Sequence, residues 1–141
     1  MSAAPGPSPL LLSFPATAES VAEARHAIQD YAASLGAADV LGTGVSVSEI
    51  VTNAIVHAFR DRVPGTIELR ADTLVPDTLR VTVTDDGDGM RPDLVSRGLG
   101  LGLPLVGELT TDLEITPNRP RGTRVVMHFS IGSREPAAHS A

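Results

Sequence analysis

Two short segments in the middle of the chain alternate apolar and polar residues, and this alternation limits the possible folds more than any other feature. They are "TIELRA", residues 66–71, and "TLRVTVTD", residues 78–85. Successive side chains of a β-strand point to opposite faces, so such segments form a sheet with one buried face. The turn-forming stretch "VPDT", residues 75–78, joins them. The sequence therefore predicts an antiparallel hairpin here.

Helical periodicity dominates the part of the chain before this hairpin. Residues 20–36 carry apolar side chains at helical spacing, and Ser20 and Glu23 are spaced as a capping box. A second helix is predicted from a cap at Asp39 through Ala58, although two glycines in its first turn leave the start of the helix open.

The remaining segments complete a mixed pattern of helices and strands. Residues 10–14 favour an edge strand, residues 101–110 favour a helix, and two further strands are predicted at 112–116 and 123–131. The resulting order is β-α-α-β-β-α-β-β. This order predicts an α+β fold, a two-layer sandwich with helices on one face of a mostly antiparallel sheet.

Composition excludes several classes of protein. The 141 residues fit one domain, expected at 10–132, with small-residue and proline-rich tails at 1–9 and 133–141 expected to be disordered. The absence of cysteine excludes disulfides and favours a cytoplasmic location. A net charge of −6 argues against a nucleic-acid partner. No apolar run approaches the roughly 20 residues that a membrane span needs, and no signal peptide is evident.

Three polar residues recur at intervals of four along the otherwise apolar segment "VSEIVTNAIVHAF", residues 47–59. They are Glu49, Asn53 and His57, and on a helical wheel they follow one edge of the apolar face. A solvated polar face is the simplest explanation. However, asparagine is a poor helix former. Asn53 offers an oxygen ligand for Mg²⁺, Glu49 can accept a proton from a hydroxyl, and His57 is expected to be structural.

A second candidate segment is "DDGDGM", residues 85–90, which follows the predicted strand. Asp85 at the strand end can accept a hydrogen bond from an exocyclic amine. Gly87 and Gly89 allow the backbone to pass close to a flat ligand. A calcium loop of the EF-hand type requires glutamate at its twelfth position, where this chain has Ser96, so that interpretation fails.

A third candidate segment is "RGLGLGLPLV", residues 97–106, in which Gly98, Gly100 and Gly102 run directly into a predicted helix. Free backbone N–H groups and the positive end of a helix together favour anion binding. The segment is neither a P-loop nor a Rossmann fingerprint, because it lacks G-K-[ST] and does not follow a strand.

A fourth candidate is the Gly122-Thr123 pair, which begins the last predicted strand. Thr123 can place its hydroxyl at the same end of the sheet as Asp85. In chain order, the four motifs are E-x-x-x-N, D-x-G-x-G, G-x-G-x-G and G-T. This set resembles the N, G1, G2 and G-T boxes of the GHKL ATP-binding superfamily, which includes gyrase, MutL and the histidine kinases.

The resemblance covers residues 12–129 and is nearest to the small bacterial anti-sigma factors of the RsbW and SpoIIAB type, which are also serine protein kinases. The stretch "FPATAESVAEARHAI" followed by "VSEIVTNAIVHAF" is similar to the opening of those proteins. The resemblance implies the Bergerat-type ATP-binding fold, with ATP and Mg²⁺ as cofactors.

The resemblance also implies a role for each motif residue. Glu49 would be the catalytic base that activates a partner serine, and Asn53 would hold Mg²⁺ against the triphosphate. Asp85 would bind the adenine amine, and Thr123 would contact the adenine side through water. The other nucleotide-binding residues would be Gly87, Gly89, Met90, Gly98, Leu99, Gly100, Leu101 and Gly102.

The implied partners are a sigma factor, an anti-anti-sigma protein of the STAS type that is phosphorylated on serine, and a second copy of the chain. Arg25, expected on the exposed side of the first helix, resembles a family arginine at the partner surface. The seven residues 91–97 would form a short ATP lid. Two alternatives therefore stay open: an ATP-gated sequestering protein with little kinase activity, and a detached histidine-kinase ATPase domain.

Overall fold

The structure, a computed structural model, describes residues 7–58, 65–87 and 103–132. In chain order its elements are β1 (Leu10–Pro15), α1 (Ala18–Ser34), α2 (Val40–Asn53), a π-helical segment (Ala54–Ala58), β2 (Thr66–Asp72), β3 (Thr78–Asp85), α3 (Leu103–Leu109), β4 (Asp112–Pro117) and β5 (Thr123–Ser130). Within these ranges, no helix has both the length and the apolarity that crossing a membrane requires.

The five strands form one sheet in the order β1-β2-β3-β5-β4, and every neighbouring pair is antiparallel. The predicted hairpin is confirmed, with Leu69 of β2 opposite Val83 of β3. The helices pack on one another and on this sheet around one apolar core. The predicted α+β architecture is therefore confirmed.

Alternation along the strands decides which face of the sheet is buried. On β2, Ile67 and Leu69 are fully buried, whereas Glu68 and Arg70 are exposed on the opposite face. Burial of aliphatic side chains stabilises the fold by roughly 1.5–3 kcal/mol per large side chain. The core is mostly aliphatic, as the composition indicates, with Ile28 of α1 among its fully buried members.

The start of α1 differs from the prediction. Thr17, not Ser20, is the N-cap, and the helix begins at Ala18. The chain turns immediately after β1, where the Thr17 N–H donates to the Pro15 carbonyl at 2.8 Å. Ser20 is consequently inside the helix, where its hydroxyl donates to the same carbonyl at 2.6 Å. The capping box predicted for Ser20 and Glu23 is therefore wrong.

The predicted cap of α2 is confirmed, because the Asp39 carboxylate accepts the Gly42 N–H at 2.8 Å. Gly44 lies inside the helix rather than delaying it. A side chain there would collide with Gln29 of α1, so glycine lets the two helices approach closely. The last turn of the predicted helix is a π-helix at Ala54–Ala58 rather than an α-helix.

The course of α2 directs Asn53 toward the end of the sheet where two other predicted site residues lie. Its start is fixed beside the end of β5, where the Ala38 N–H donates to the Ile131 carbonyl at 3.1 Å. The 14 residues of α2 span about 21 Å, and the helix packs on β3. Its last residue, Asn53, therefore lies toward the end of the sheet where Asp85 ends β3 and Thr123 begins β5.

Candidate functional site

A buried carboxylate at the end of β3 is the centre of the candidate site. Asp85 is only 5% exposed. Its Oδ1 accepts the backbone N–H of Gly87 at 2.9 Å, and its side chain also accepts the backbone N–H of Thr123. A carboxylate has about four acceptor positions. The side chain is thus held from two directions and keeps acceptor capacity for a ligand.

The surroundings of Asp85 alter its acidity. Burial raises the pKa of Asp85 above the ordinary value, the N–H groups of Gly87 and Thr123 oppose that shift, and the charge of Asp86 adds to it. A desolvated carboxylate gains more from a ligand N–H donor than a solvated one does. A buried carboxylate with a raised pKa, held by backbone donors at the end of a strand, is a candidate binding group.

Two residues of the turn before Thr123, which the sequence did not identify as part of the site, contact the backbone around this carboxylate. The Asn118 side-chain amide donates to the Asp85 backbone carbonyl at 3.1 Å, and the Arg121 Nε donates to the Gly87 carbonyl at 3.3 Å. Gly122 has a φ of +106°, and a Cβ there would collide with the Asp85 carbonyl. Of this turn, the sequence identified only Gly122, as the first residue of the Gly122-Thr123 pair.

Asn53 is 4% exposed and makes interactions in the structure, so a solvated polar face does not explain it. It ends α2, and the π-helical segment follows directly. His57 lies in that segment, and its side chain is outside the described part of the chain. Thr123 is 5% exposed, in agreement with a position facing the same site.

Glu49 lies one helical turn before Asn53 and is half-buried. Within the described ranges, its carboxylate has no hydrogen-bond or ion-pair partner. Arg25 was expected to be exposed but is also half-buried, since its guanidinium donates to the Ser48 hydroxyl of α2 at 3.4 Å. Arg25 therefore connects α1 to α2 beside Glu49.

The remaining predicted nucleotide-binding residues lie outside the described ranges. They are Gly89, Met90, Gly98, Leu99, Gly100, Leu101 and Gly102. The lid predicted at 91–97 also lies outside. The helix predicted after the glycines is confirmed as α3, with Pro104 in its first turn and Leu103 and Val106 buried where α3 packs against α2.

Comparison with known protein families gives one match that covers most of the chain. The family described as the histidine kinase-like ATPase domain matches residues 14–129. This match contains the residues that the structure brings to one end of the sheet: Asn53, Asp85 and Thr123.

Two kinds of curated relative are similar in sequence. Blue-light-activated histidine kinase 2 of Erythrobacter litoralis is 42% identical over 90 residues, which is 62% of this chain and 26% of that protein. The chain thus spans about a quarter of that kinase. The anti-sigma F factor of Clostridium beijerinckii is 29% identical over 132 residues, 82% of this chain and 90% of that protein. The anti-sigma F factor of Caldanaerobacter subterraneus is 28% identical over 134 residues, 86% and 92% of the two chains.

Two solved structures have a similar fold. The histidine kinase domain of the Erythrobacter litoralis EL346 blue-light-activated kinase has a TM-score of 0.52 and 36% identity, covering 65% of this chain and 44% of that chain. A Mycobacterium tuberculosis structure of RsbU and RsbW domains has a TM-score of 0.67 and 24% identity, covering 91% and 33%. At 24% identity, the second comparison shows a shared fold.

The resemblance to the GHKL superfamily is therefore confirmed, and the anti-sigma F relatives support the RsbW and SpoIIAB type within it. Membership of an ATPase family agrees with a buried carboxylate that can accept an amine. On the extent of the family match and the agreement of the fold, this chain belongs to the histidine kinase-like ATPase domain family.

Proposed function

We propose that this protein binds ATP with Mg²⁺, sequesters a sigma factor, and transfers the γ-phosphate to a serine of an anti-anti-sigma protein of the STAS type. The observation that carries the proposal is the Asp85 carboxylate, buried at the end of β3 with acceptor capacity left for a ligand. Family membership supports the nucleotide, and the anti-sigma F relatives support the partners.

Asp85 recognises adenine in this proposal. The exocyclic amine of adenine donates an N–H to the carboxylate, in place of the water that burial removes. Guanine and hypoxanthine carry a carbonyl oxygen at that position, which the carboxylate repels. Thr123 adds its hydroxyl on the same side, and Gly87 leaves room for the nucleoside beside the backbone.

Asn53 holds Mg²⁺ through its side-chain oxygen, which is a hard and neutral ligand. Within the described residues there is no cluster of three or more His, Cys, Asp or Glu that could hold a metal by itself. Mg²⁺ usually binds one or two protein groups together with substrate phosphates and water. When bound, the ion neutralises charge on the phosphates during transfer.

Glu49 accepts the proton of the attacking serine in this proposal. The serine oxygen forms a bond to the γ-phosphorus, the bond between that phosphorus and the β,γ-bridging oxygen breaks, and ADP leaves. The position of Glu49, half-buried one turn before Asn53, suits a base at the edge of the nucleotide. General bases of this kind contribute roughly 10²- to 10⁴-fold in rate.

The glycine-rich residues complete the proposed site. Gly98, Gly100 and Gly102, with the leucines between them, line the phosphates, and Gly89 and Met90 line the nucleoside. We further propose that residues 10–132 form the folding domain and that two copies of the chain assemble as a dimer.

Two other functions have specific support. The short lid at 91–97 favours an ATP-gated sequestering protein with little kinase activity. The 42% identity to a histidine kinase over 90 residues favours an ATPase domain that phosphorylates a histidine in trans. The chemistry of the phosphorylated product separates these three functions.

The test is a phosphoryl-transfer assay with γ-labelled ATP, Mg²⁺ and extract of the source cells. A small protein labelled on serine, stable to acid, by the wild type and not by Glu49→Ala would support the proposal. Acid-labile label on histidine would replace it with the histidine-kinase function. No label, with ATP binding confirmed in parallel and in extracts from several growth conditions, would favour the sequestering function.

A further inference from the structure

We propose that the turn at residues 118–122 sets the adenine specificity of the site, with Asn118 and Arg121 as positioning residues for Asp85. The inference rests on the proposed role of Asp85 in adenine recognition. It deepens that role by naming the residues that fix the carboxylate in place. Neither residue stood among the sequence motifs.

The two side chains hold opposite ends of one short loop. Asn118 donates to the carbonyl of Asp85 at 3.1 Å, and Arg121 donates to the carbonyl of Gly87 at 3.3 Å. Between these points, the Gly87 N–H donates to the Asp85 carboxylate at 2.9 Å. The backbone carbonyls of Asp85 and Gly87 thus accept hydrogen bonds from the turn, while the Gly87 N–H donates to the Asp85 carboxylate.

The turn itself is closed and lies directly against the loop. The Asn118 N–H donates to the Gly122 carbonyl at 3.0 Å. Glycine at 122 is required, because a Cβ there would collide with the Asp85 carbonyl. The next residue, Thr123, donates its own N–H to the Asp85 carboxylate. The turn and the residue that follows it therefore contact both the backbone carbonyl and the side-chain carboxylate of Asp85.

On the side that faces β5, strand pairing does not hold Asp85 in place. On the other side, Asp85 pairs with Ile67 of β2, but the pairing between β3 and β5 ends at Thr84 opposite Arg124. Toward β5, the loop is positioned by the contacts of the turn. Arg121 is exposed and Asn118 is half-buried, and neither belongs to the apolar core. Their loss should loosen the carboxylate while leaving the fold intact.

A loosened carboxylate loses selectivity before it loses binding. An acceptor that moves away from the adenine amine gives up the hydrogen bond, and it also stops repelling a carbonyl at the same place. ATP and ITP differ at this position, where ITP carries a carbonyl instead of the amine. The ratio of the two affinities therefore reports on how Asp85 is placed.

The experiment measures the Kd of Mg²⁺-ATP and of Mg²⁺-ITP by titration calorimetry, together with the melting temperature, for a set of turn variants. Arg121→Ala is matched by Arg119→Ala, which removes the same charge from an exposed neighbour in the same turn. We expect the preference for ATP to fall by about tenfold in Arg121→Ala and in Asn118→Ala. It should be unchanged in Arg119→Ala and partly restored in Arg121→Lys, which keeps a donor.

Other outcomes would overturn either the positioning role of the turn or the proposed recognition of adenine. An unchanged ATP preference in Arg121→Ala and Asn118→Ala would overturn the positioning role, provided that Asp85→Asn loses the preference. An equal fall in Arg119→Ala and Arg121→Ala would also overturn it, since charge rather than contact would then be responsible. If the wild type does not prefer ATP and Asp85→Asn changes nothing, the proposed recognition of adenine itself fails. A variant with a lowered melting temperature and weaker binding of both nucleotides would indicate a structural role only.

Discussion

The two carboxylates of the proposed site, Asp85 and Glu49, have opposite surroundings. Asp85 is 5% exposed and accepts backbone N–H groups from Gly87 and Thr123. Glu49 is half-buried on α2, and its carboxylate has no hydrogen-bond partner in the described part of the chain. Backbone N–H groups of the protein thus hold the Asp85 carboxylate, whereas no described residue holds that of Glu49.

This difference matches the two tasks proposed for them. Recognition of a base edge needs an acceptor at a fixed place, and ordering that acceptor in advance lowers the cost of binding. A proton acceptor for a hydroxyl needs free lone pairs at the moment of transfer. Substitutions at Asp85 should therefore change nucleotide binding and stability, whereas substitutions at Glu49 should change phosphate transfer.

The largest effect is expected from adding a side chain at Gly122, which lies directly against Asp85. Gly122→Ala should lower the free energy of unfolding by at least ~2 kcal/mol, because its Cβ meets the Asp85 carbonyl and its φ is +106°. ATP affinity should fall with it. Chemical denaturation measures the first effect and calorimetry the second.

Gly107→Ala is the matched control, since a Cβ at this position of α3 meets no atom within 4 Å. It should be neutral or stabilise the protein by about 0.5–1 kcal/mol, because alanine is the better helix former. A Gly122→Ala protein as stable as this control would show that the turn does not constrain Asp85.

A smaller effect is expected from Asp85→Asn. The amide keeps an acceptor for the Gly87 N–H but loses the charge that accepts the adenine amine. ATP affinity should fall about ten- to a hundredfold, in line with hydrogen bonds to charged groups. The melting temperature at neutral pH should stay the same or rise. Unfolding of this variant would instead identify Asp85 as a structural cap, and the contrast with Glu49 would disappear.

The pH dependence of stability should show a smaller, gradual effect of the Asp85 carboxyl group. Burial raises the folded-state pKa of Asp85 above its unfolded value. The contribution of Asp85 to stability is therefore fully present at pH values below its pKa in the unfolded chain. It is lost as the pH rises through its pKa in the folded protein. Wild type should lose stability relative to Asp85→Asn across that interval. Parallel stability curves of the two proteins would contradict the shift.

ATP binding should show the opposite trend. The ionised carboxylate is the acceptor, so affinity should fall as pH is lowered through the raised pKa of Asp85. Asp85→Asn is the control, because it keeps any titration of the nucleotide phosphates and removes that of the carboxylate. Calorimetry at a series of pH values measures the difference between the two proteins.

The smallest effect is expected from Thr123→Val. Valine keeps the shape of the side chain and the backbone N–H that donates to Asp85, but removes the hydroxyl. The loss of one neutral hydrogen bond should weaken ATP binding by about three- to tenfold. A loss as large as that of Asp85→Asn would mean that Thr123 carries more of the recognition than the carboxylate.

The sequence predicted the elements whose signals are local. Strict alternation predicted β3 at 78–85 with the bounds that the structure has, and Asp39 was correctly predicted to cap α2. The position of Thr123 at the start of the last predicted strand indicated that it lies at the same end of the sheet as Asp85. The neighbouring ends of β3 and β5 confirm this arrangement.

Features that depend on distant contacts were not predictable in this way. The start of α1 is set by the turn after β1, so the local capping signal at Ser20 was misleading. No residue of Ala54–Ala58 signals a π-helix. The contact between Asn118 and Asp85 joins residues 33 positions apart, and no pattern within either segment indicates it.

The most direct test of the separate roles of Asp85 and Glu49 compares Glu49→Gln with Asp85→Asn. One assay measures ATP affinity, and the other measures γ-phosphate transfer to a purified anti-anti-sigma protein at saturating ATP. Glu49→Gln should bind ATP like the wild type and transfer phosphate at least ~10²-fold more slowly. Asp85→Asn should bind ATP weakly and transfer phosphate at a rate near that of the wild type once saturated. Transfer by Glu49→Gln at the wild-type rate, or wild-type ATP affinity in Asp85→Asn, would contradict the account.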